Sequence, residues 1–186
     1  MILKRIIPIA LIFILTVVGT IFMMDAPTVF GAKLGGKWKS NPTYHCDNIA
    51  SAYKTASNKG INSWNSALKT IGVSLRYNYA SVTSAKVSFN VKNYGSTGWN
   101  AQGQPGPSVS SGTYTYGTVR YNTKYMSNYS AGKKKAIATH ELGHMLGLAH
   151  RTGKVLMNVN GSSKYYDEWS ISSPTAADRT DLDAIY

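Results

Sequence analysis

Three histidines and one glutamate stand close together late in the sequence, in the order His140, Glu141, His144 and His150. Residues four apart lie on one face of a helix, so His140 and His144 can point at the same metal ion. Glu141 follows the first histidine and can act as a general base on a water molecule at that ion. Only one other histidine, His45, occurs in the chain. The pattern predicts a metal site with its own catalytic base.

Gly147 predicts the end of the helix that carries these residues, because glycine adopts the left-handed conformation that redirects a chain there. The turn can bring His150 back toward His140 and His144 as a third nitrogen ligand. Three imidazoles and one open position are the arrangement of catalytic zinc sites, and neutral imidazole suits zinc. We therefore predict one catalytic Zn²⁺ bound by the three histidines. The alternative is that they are unrelated histidines on a core-facing helix.

Hydrophobic periodicity and turn residues predict the elements that must position this motif. The clearest helix covers residues 131–146. A second helix follows Asn48, which would cap it, and bends near Gly60. Further expected elements are strands at 43–46, 73–79, 85–91, 114–116 and 118–121, a loop at 95–112 and a short helix at 176–186. This order predicts an α+β or mixed domain.

The N-terminus has the pattern of a secretory signal peptide. Lys4 and Arg5 precede the apolar run 6–24, and small residues suited to cleavage follow near Gly31 and Ala32. The alternative is a retained membrane anchor, because about 20 apolar residues can span a bilayer. In both cases the rest of the chain lies outside the cell. We predict a secreted protein.

Composition excludes several other kinds of site. The 186-residue chain has 20 Lys and Arg against 8 Asp and Glu, for a net charge of +12. No acid lies between Asp47 and Glu141, which argues against calcium sites there. One cysteine, Cys46, excludes a disulfide within the chain and a cysteine-rich zinc cluster. We expect Cys46 to be a buried, inert thiol.

The positive charge favours loose association with an anionic cell surface. The run Lys133-Lys134-Lys135 is expected to spread around its helix instead of forming one patch. No nucleic-acid-binding motif is present, so we expect no nucleic-acid partner. We also expect the protein to be a monomer.

Residues 140–150 resemble the extended zinc signature of the metzincin metalloendopeptidases, H-E-x-x-H-x-x-G-x-x-H. Residues 155–158 are similar to the Met-turn of that family, with Met157 as its methionine. Residues 174–186 resemble the C-terminal helix of the matrixin branch, and residues 36–44 resemble its first strand. The form of that branch that the chain resembles is the small, secreted bacterial one. The resemblance covers nearly all of residues 33–186, which it implies are a single metallopeptidase domain after a signal peptide at 1–31.

The resemblance implies a role for each site residue. His140, His144 and His150 would bind zinc, Glu141 would be the base, and Met157 would lie beneath the metal. The fold would be an α+β metzincin-like domain with a twisted mixed sheet over the active-site helix and a small C-terminal subdomain ending in a helix. An edge strand within 112–116 would align the substrate. A pocket beyond the scissile bond would lie between helix 140–147 and the segment after the Met-turn.

The chain departs from the matrixin pattern at several positions. His45 is the one histidine left over, so we predict no structural zinc and no calcium. Arg151 follows the third histidine, and Val159 stands two residues after the Met-turn methionine. Tyr165 and Tyr166 are expected on the surface, with stabilisation of an oxyanion by one phenol as the alternative.

These features predict a secreted zinc endopeptidase that acts on proteins or peptides. Two alternatives stay open: a zinc hydrolase of another amide, such as one in cell-wall peptide, and a non-catalytic binding module stabilised by its metal. Glu141 argues against the last, because a purely structural site has no use for a base beside an open position.

Overall fold

A computed structural model describes residues 33–110 and 112–186 of the chain. The predicted signal peptide, residues 1–31, lies outside these residues and stays a prediction. Among the helices of the described part, none has both the length and the apolar character that crossing a bilayer requires.

The described residues form a mixed sheet and helices, which confirms the predicted α+β class of a metzincin-like domain with a C-terminal helix. The strands are β1 Lys37–Trp38, β2 Thr43–Tyr44, β3 Asn78–Tyr79, β4 Val87–Lys92, β5 Ala101–Gly106, β6 Thr113–Tyr114 and β7 Tyr116–Asn122. The helices are α1 Ser51–Thr70, α2 Thr123–Met126, α3 Ala131–Met145 and α4 Ala176–Asp183, with a π-helix at Ser163–Glu168.

The main sheet has the strand order β3-β2-β4-β7-β5. Strands β3, β2, β4 and β7 run parallel to one another, while β5 runs antiparallel to β7 and ends the sheet at one edge. Strand β1 pairs separately with β6. The inward residues of β7 alternate along the strand as Gly117, Val119 and Tyr121, and all three are buried. This pattern directs one face of the sheet toward the helices.

Helix α3 is buried on nearly all sides, and every residue from Ala136 to Met145 is largely removed from solvent. A helix inside the protein needs no polar face, which explains why its sequence lacks a clear amphipathic stripe. Three aromatic side chains donate hydrogen bonds to its carbonyl oxygens: Trp64 to Thr139 at 2.6 Å, Tyr77 to Leu142 at 2.9 Å and Trp38 to Met145 at 2.6 Å. The helix that carries the chemical motif is therefore fixed from three directions.

Helix α1 differs from its prediction at two points. It begins after Ala50, with no side-chain cap, so Asn48 is not its cap. It also runs straight through Gly60, where a bend was expected. A Cβ atom at Gly60 would lie 3.0 Å from the Leu142 side chain and 3.1 Å from the Thr139 nitrogen. The glycine therefore serves close packing of α1 on α3.

The strand predicted at 73–79 is reduced to the two residues of β3. Ahead of β3, the N–H groups of Arg76 and Tyr77 donate to the side-chain oxygens of Asn41 and Asn65, both at 2.8 Å. These main-chain donors are satisfied by asparagine side chains, so they do not extend the ladder.

The largest correction concerns residues 95–112, which contain β5 and are not only a loop. The edge strand expected within 112–116 is wrong as well, because β6 in that segment pairs with β1. Strand β5 instead forms the sheet edge beside α3. The break expected at Gly117 falls at Thr115, and β7 runs through Gly117 without interruption.

Candidate metal centre

The three predicted histidines converge on one point at the end of α3. The Nε2 atom of His150 lies 3.0 Å from that of His140 and 3.1 Å from that of His144. All three ligand atoms lie within 4.8 Å of one another. Nitrogen ligands held tetrahedrally at about 2.0–2.1 Å from zinc are about 3.3 Å apart. The spacing of the imidazoles fits a single ion.

Hydrogen bonds fix which ring nitrogens face inward. The Nδ1 atom of His140 lies 2.8 Å from the Leu156 carbonyl oxygen, and that of His144 lies 2.7 Å from the Leu148 carbonyl oxygen. Carbonyl oxygens only accept, so both Nδ1 atoms carry the proton. The two Nε2 atoms therefore direct lone pairs at the common point, which is the arrangement that a metal requires.

Burial favours the neutral form of these imidazoles. It lowers the pKa of His140 well below the usual value, and the neighbouring His144 lowers that pKa further. Burial also lowers the pKa of His144 to about 4 and depresses the pKa of the more exposed His150. At neutral pH the three rings are thus uncharged, with one nitrogen of each ring free of a proton, which is the form that binds metal.

Glu141 lies beside the histidines and has the properties of a proton acceptor. Burial raises the pKa of its carboxyl group to about 8, and a hydrogen bond from the Gly103 main chain opposes part of this shift. A carboxyl group with its pKa near the working pH both accepts and returns protons efficiently. It shares a cavity of about 430 Å³ with His144 and His150.

Strand β5 forms the other wall of this cavity, which Ala101, Gln102, Gly103 and Gln104 line. The Asn122 N–H donates to the Asn100 carbonyl oxygen at 2.8 Å, and the direction of the main-chain groups alternates along the strand, so those of Ala101, Gly103 and Pro105 face outward from the sheet. Proline is tolerated at such an edge because it has no N–H group to pair. A Cβ atom at Gly103 would overlap the Glu141 carbonyl oxygen, so only glycine permits this approach of β5 to α3.

Gly147 ends α3, as the sequence predicts. Gly147 has a φ of +95°. The Gly147 N–H donates to the main-chain carbonyl oxygen of His144 at 2.9 Å, and the Leu148 N–H donates to that of Gly143 at 3.1 Å. This pair of bonds defines a Schellman motif, the usual helix stop at glycine. The turn directs the chain back so that His150 reaches the other two imidazoles.

We expect Gly147→Ala to lower the free energy of unfolding by about 3 kcal/mol, from the left-handed strain plus a close contact. The added Cβ would lie 2.5 Å from the Gly36 carbonyl oxygen. Gly153→Ala is the matched control, because Gly153 has a φ of +99° but open space around its Cβ position. Urea unfolding of both variants checks the difference, and equal losses of stability would contradict the steric account.

Met157 is buried and packs against α3 at Gly143, and its place beneath the metal stays a prediction. The segment that contains it also pairs with the chain after the third histidine. The Arg151 N–H donates to the Met157 carbonyl oxygen at 2.9 Å, and the Val159 N–H donates to that of Arg151 at 3.0 Å. The Met-turn thereby fixes both His150, through this pairing, and His140, through the Leu156 carbonyl.

Helix α4 holds the Met-turn through Asp178, a contact that the sequence alone did not reveal. The fully buried Asp178 carboxylate accepts from the main-chain N–H groups of Leu156 at 3.0 Å and Met157 at 3.1 Å. It also accepts from Thr175 in a capping box at the start of α4. A second contact joins α4 to the chain after His150: the Arg151 guanidinium forms an ion pair with the Asp181 carboxylate at 2.6 Å.

Asp178→Ala is expected to lower the free energy of unfolding by about 3 kcal/mol, because two buried N–H groups lose their acceptor and α4 loses its cap. Zinc affinity should fall with it, since the Leu156 carbonyl orients His140. Asp183→Ala, at an exposed position of the same helix, is the control and should change stability by less than about 0.5 kcal/mol. Denaturant unfolding with and without zinc measures both effects.

Tyr165 corrects another expectation. It was predicted at the surface, yet its ring is buried and stacks on His140, with centroids 5.0 Å apart and planes inclined by 12°. Tyr166 is half-buried. Cys46 is buried as expected, with its Sγ atom 3.4 Å from the Asn58 side-chain oxygen. Burial is the main cause that raises the pKa of this thiol, and the neighbouring Asp47 raises that pKa further.

Comparison with known families bears on the same region. Residues 91–170 match the model of the peptidase family M43, described as pregnancy-associated plasma protein-A. No curated protein matches the chain. The matched residues include β5, β7, α3 and the three histidines, but not the segments that resemble matrixins. Together with the histidine cluster, the match supports a zinc-dependent metallopeptidase of the metzincin type.

Proposed function

We propose that this protein is a secreted zinc-dependent endopeptidase that hydrolyses peptide bonds by means of an activated water molecule. One observation carries the proposal: three imidazole Nε2 atoms converge beside the buried Glu141 carboxyl group, in a cavity that the edge strand β5 lines. A structural metal site would need neither the base nor the open groove.

His140, His144 and His150 would hold the ion. Met157 would lie beneath it, and the turn at Gly147 would bring His150 to the other two ligands. The ion, when bound, would supply a Lewis acid that polarises the substrate carbonyl and makes a water molecule more acidic. The carbonyl acceptors at Leu156 and Leu148 keep two imidazoles in the tautomer that binds metal.

Glu141 moves the proton. A carboxylate oxygen of Glu141 takes a proton from the attacking water as the new C–O bond forms, and delivers it to the amide nitrogen as the C–N bond breaks. Burial raises the pKa of this carboxyl group above its usual value, so Glu141 binds a proton more firmly than an exposed glutamate does before it passes that proton to the nitrogen. The Gly103 main chain orients the carboxylate.

Strand β5 would bind the substrate. An extended peptide can pair with the outward main-chain groups of Ala101 and with the Gly103 carbonyl oxygen, because the Gly103 N–H already donates to Glu141, while Pro105 offers only its carbonyl oxygen. Such pairing recognises any main chain, so it suits an enzyme that acts on proteins or peptides.

Secretion is proposed from the N-terminal pattern at residues 1–31, and membership of the matrixin branch from segments 36–44 and 174–186. We also propose a monomer with one catalytic zinc, no structural zinc or calcium and no nucleic-acid partner. Loose association with an anionic surface rests on the net charge of +12. The lysine run contributes no single patch to it, because Lys134 is buried and donates to main-chain oxygens.

The test is cleavage of a mixed peptide library by the secreted, zinc-loaded protein, with and without a chelator. We expect peptide products whose formation stops on chelation and returns when zinc is added. Cleavage of cell-wall peptide alone would favour the other zinc hydrolase. Tight zinc binding with no hydrolysis of either substrate would favour the binding module.

A further inference from the structure

Another cavity, of about 320 Å³, lies between α1 and the segment that leads into α4. Unlike the cavity of about 240 Å³ beside His140, where the pocket beyond the scissile bond was expected, it shares no lining residue with the metal centre. Ser63, Ser66 and Thr70 line it from one face of α1, because they are three and four residues apart. Ser173 lines it from the segment before α4. The cavity is therefore surrounded by hydroxyl groups from two elements.

Three basic side chains bring positive charge to this cavity. Arg179 lines it, and its guanidinium group donates to the Pro174 carbonyl oxygen at 3.0 Å, a bond that needs only one of its five N–H groups. The Lys135 ammonium group reaches the rim, where it donates to the Ser173 hydroxyl at 3.0 Å. Lys59 lies on α1, one helical turn before the first of the lining serines. We call Lys59, Lys135 and Arg179 the basic cluster.

The described part of the chain supplies no carboxylate in an ion pair with the basic cluster. Apart from the exposed Asp183, its acids are engaged elsewhere, in ion pairs, at the Met-turn or beside the histidines: Asp47, Asp167, Glu168, Asp181, Asp178 and Glu141. Burial lowers the pKa of Lys135, and the positive charge of the neighbouring Lys59 lowers that pKa further. Because these like charges repel each other, an anion from outside the chain would stabilise the cluster.

We propose that this cavity binds a phosphoryl group, as free phosphate or as a phosphate monoester. The planar guanidinium group of Arg179 matches two oxygens of a phosphate, and Lys135 with the hydroxyl groups offers donors to the third. A carboxylate has only two oxygens and would leave some of these donors without an acceptor. The inference goes beyond the proposed endopeptidase function and does not rest on it, because the metal centre contributes no residue to the cavity.

The experiment titrates the zinc-loaded protein with inorganic phosphate, methyl phosphate and acetate, each at constant ionic strength, and follows the heat of binding. We expect a Kd on the order of 1 mM for at least one of the two phosphates and binding about 10-fold weaker for acetate. Tighter binding of methyl phosphate would identify a phosphate ester as the ligand, and tighter binding of inorganic phosphate would identify the free ion. Acetate binding as tight as that of both phosphates would overturn the proposal, and so would no binding of either phosphate.

Three variants show whether the phosphate lies in this cavity. Arg179→Gln should weaken its binding by about 10-fold, the scale of a lost charge-assisted contact. Ser66→Leu should weaken it similarly without changing the net charge, because its side chain fills the cavity from an exposed position.

Lys124→Gln is the control for Arg179→Gln, since it removes the same charge from an exposed position on α2 and should leave the affinity within about twofold of wild type. A phosphate at the zinc would affect all variants equally. Equal losses in Arg179→Gln and Lys124→Gln, or no loss in either cavity variant, would overturn the proposal. Peptide hydrolysis should stay at the wild-type rate in all three variants, so a failure of the endopeptidase function would leave this test unaffected.

Discussion

Glu141→Gln is expected to reduce kcat/KM for peptide hydrolysis by about 10³-fold, the scale of losing a general base. Glutamine has nearly the same shape as glutamate but cannot take a proton from water. The substitution removes a carboxyl group whose burial opposes ionisation, so the free energy of unfolding should not fall. Zinc content should stay at one ion per chain, because the histidines are untouched.

Glu168→Gln serves as the control for this prediction. Glu168 is exposed on the π-helix and pairs with Lys164, so its replacement should leave activity within about twofold of wild type. Rates on a fluorogenic peptide and zinc content by mass spectrometry check both variants. Retention of more than a tenth of the wild-type rate in Glu141→Gln would mean that another group accepts the proton.

His150→Ala should weaken zinc binding by about 10³-fold, since it removes one of three protein ligands. His150 is the ligand best suited to this test. It is exposed and follows the helix, so its loss leaves the packing of α3 intact. Activity should disappear at zinc concentrations that saturate wild type, and excess zinc should restore only part of it.

His45→Ala provides the matched comparison, because His45 lies outside the cluster and contacts the Ala80 carbonyl oxygen. Its zinc affinity should equal that of wild type. Competition with a chromophoric chelator measures all three proteins. Equal affinities for wild type and His150→Ala would show that this ring is not a ligand.

The predicted features that hold in the structure are those set by nearby residues. His140 and His144 meet because α3 is helical, and Gly147 adopts the left-handed conformation that brings His150 back. Helix α4 likewise follows from its capping box at Thr175 and Asp178. Each of these signals lies within a few residues of the element it specifies, so the sequence is sufficient to read them.

The features that could not be predicted depend on partners distant in sequence. Strand β5 has the sequence AQGQPG, with two glycines, a proline and no apolar alternation, and its extended form comes from pairing with β7. Asp178 lies 21 residues from Met157, and no local pattern indicates that its carboxylate holds the Met-turn. The contact of Tyr165 with His140 depends on a π-helix that periodicity does not reveal.

The central claim is that three imidazoles bind one zinc ion and leave a position open for water. X-ray absorption at the zinc edge of the wild-type protein, loaded with one equivalent, tests it most directly. The spectrum should show a four-coordinate ion with three imidazole nitrogens and one further light atom at about 2.0–2.1 Å. A six-coordinate shell of oxygens, or a signal from zinc that a desalting column removes, would contradict the claim.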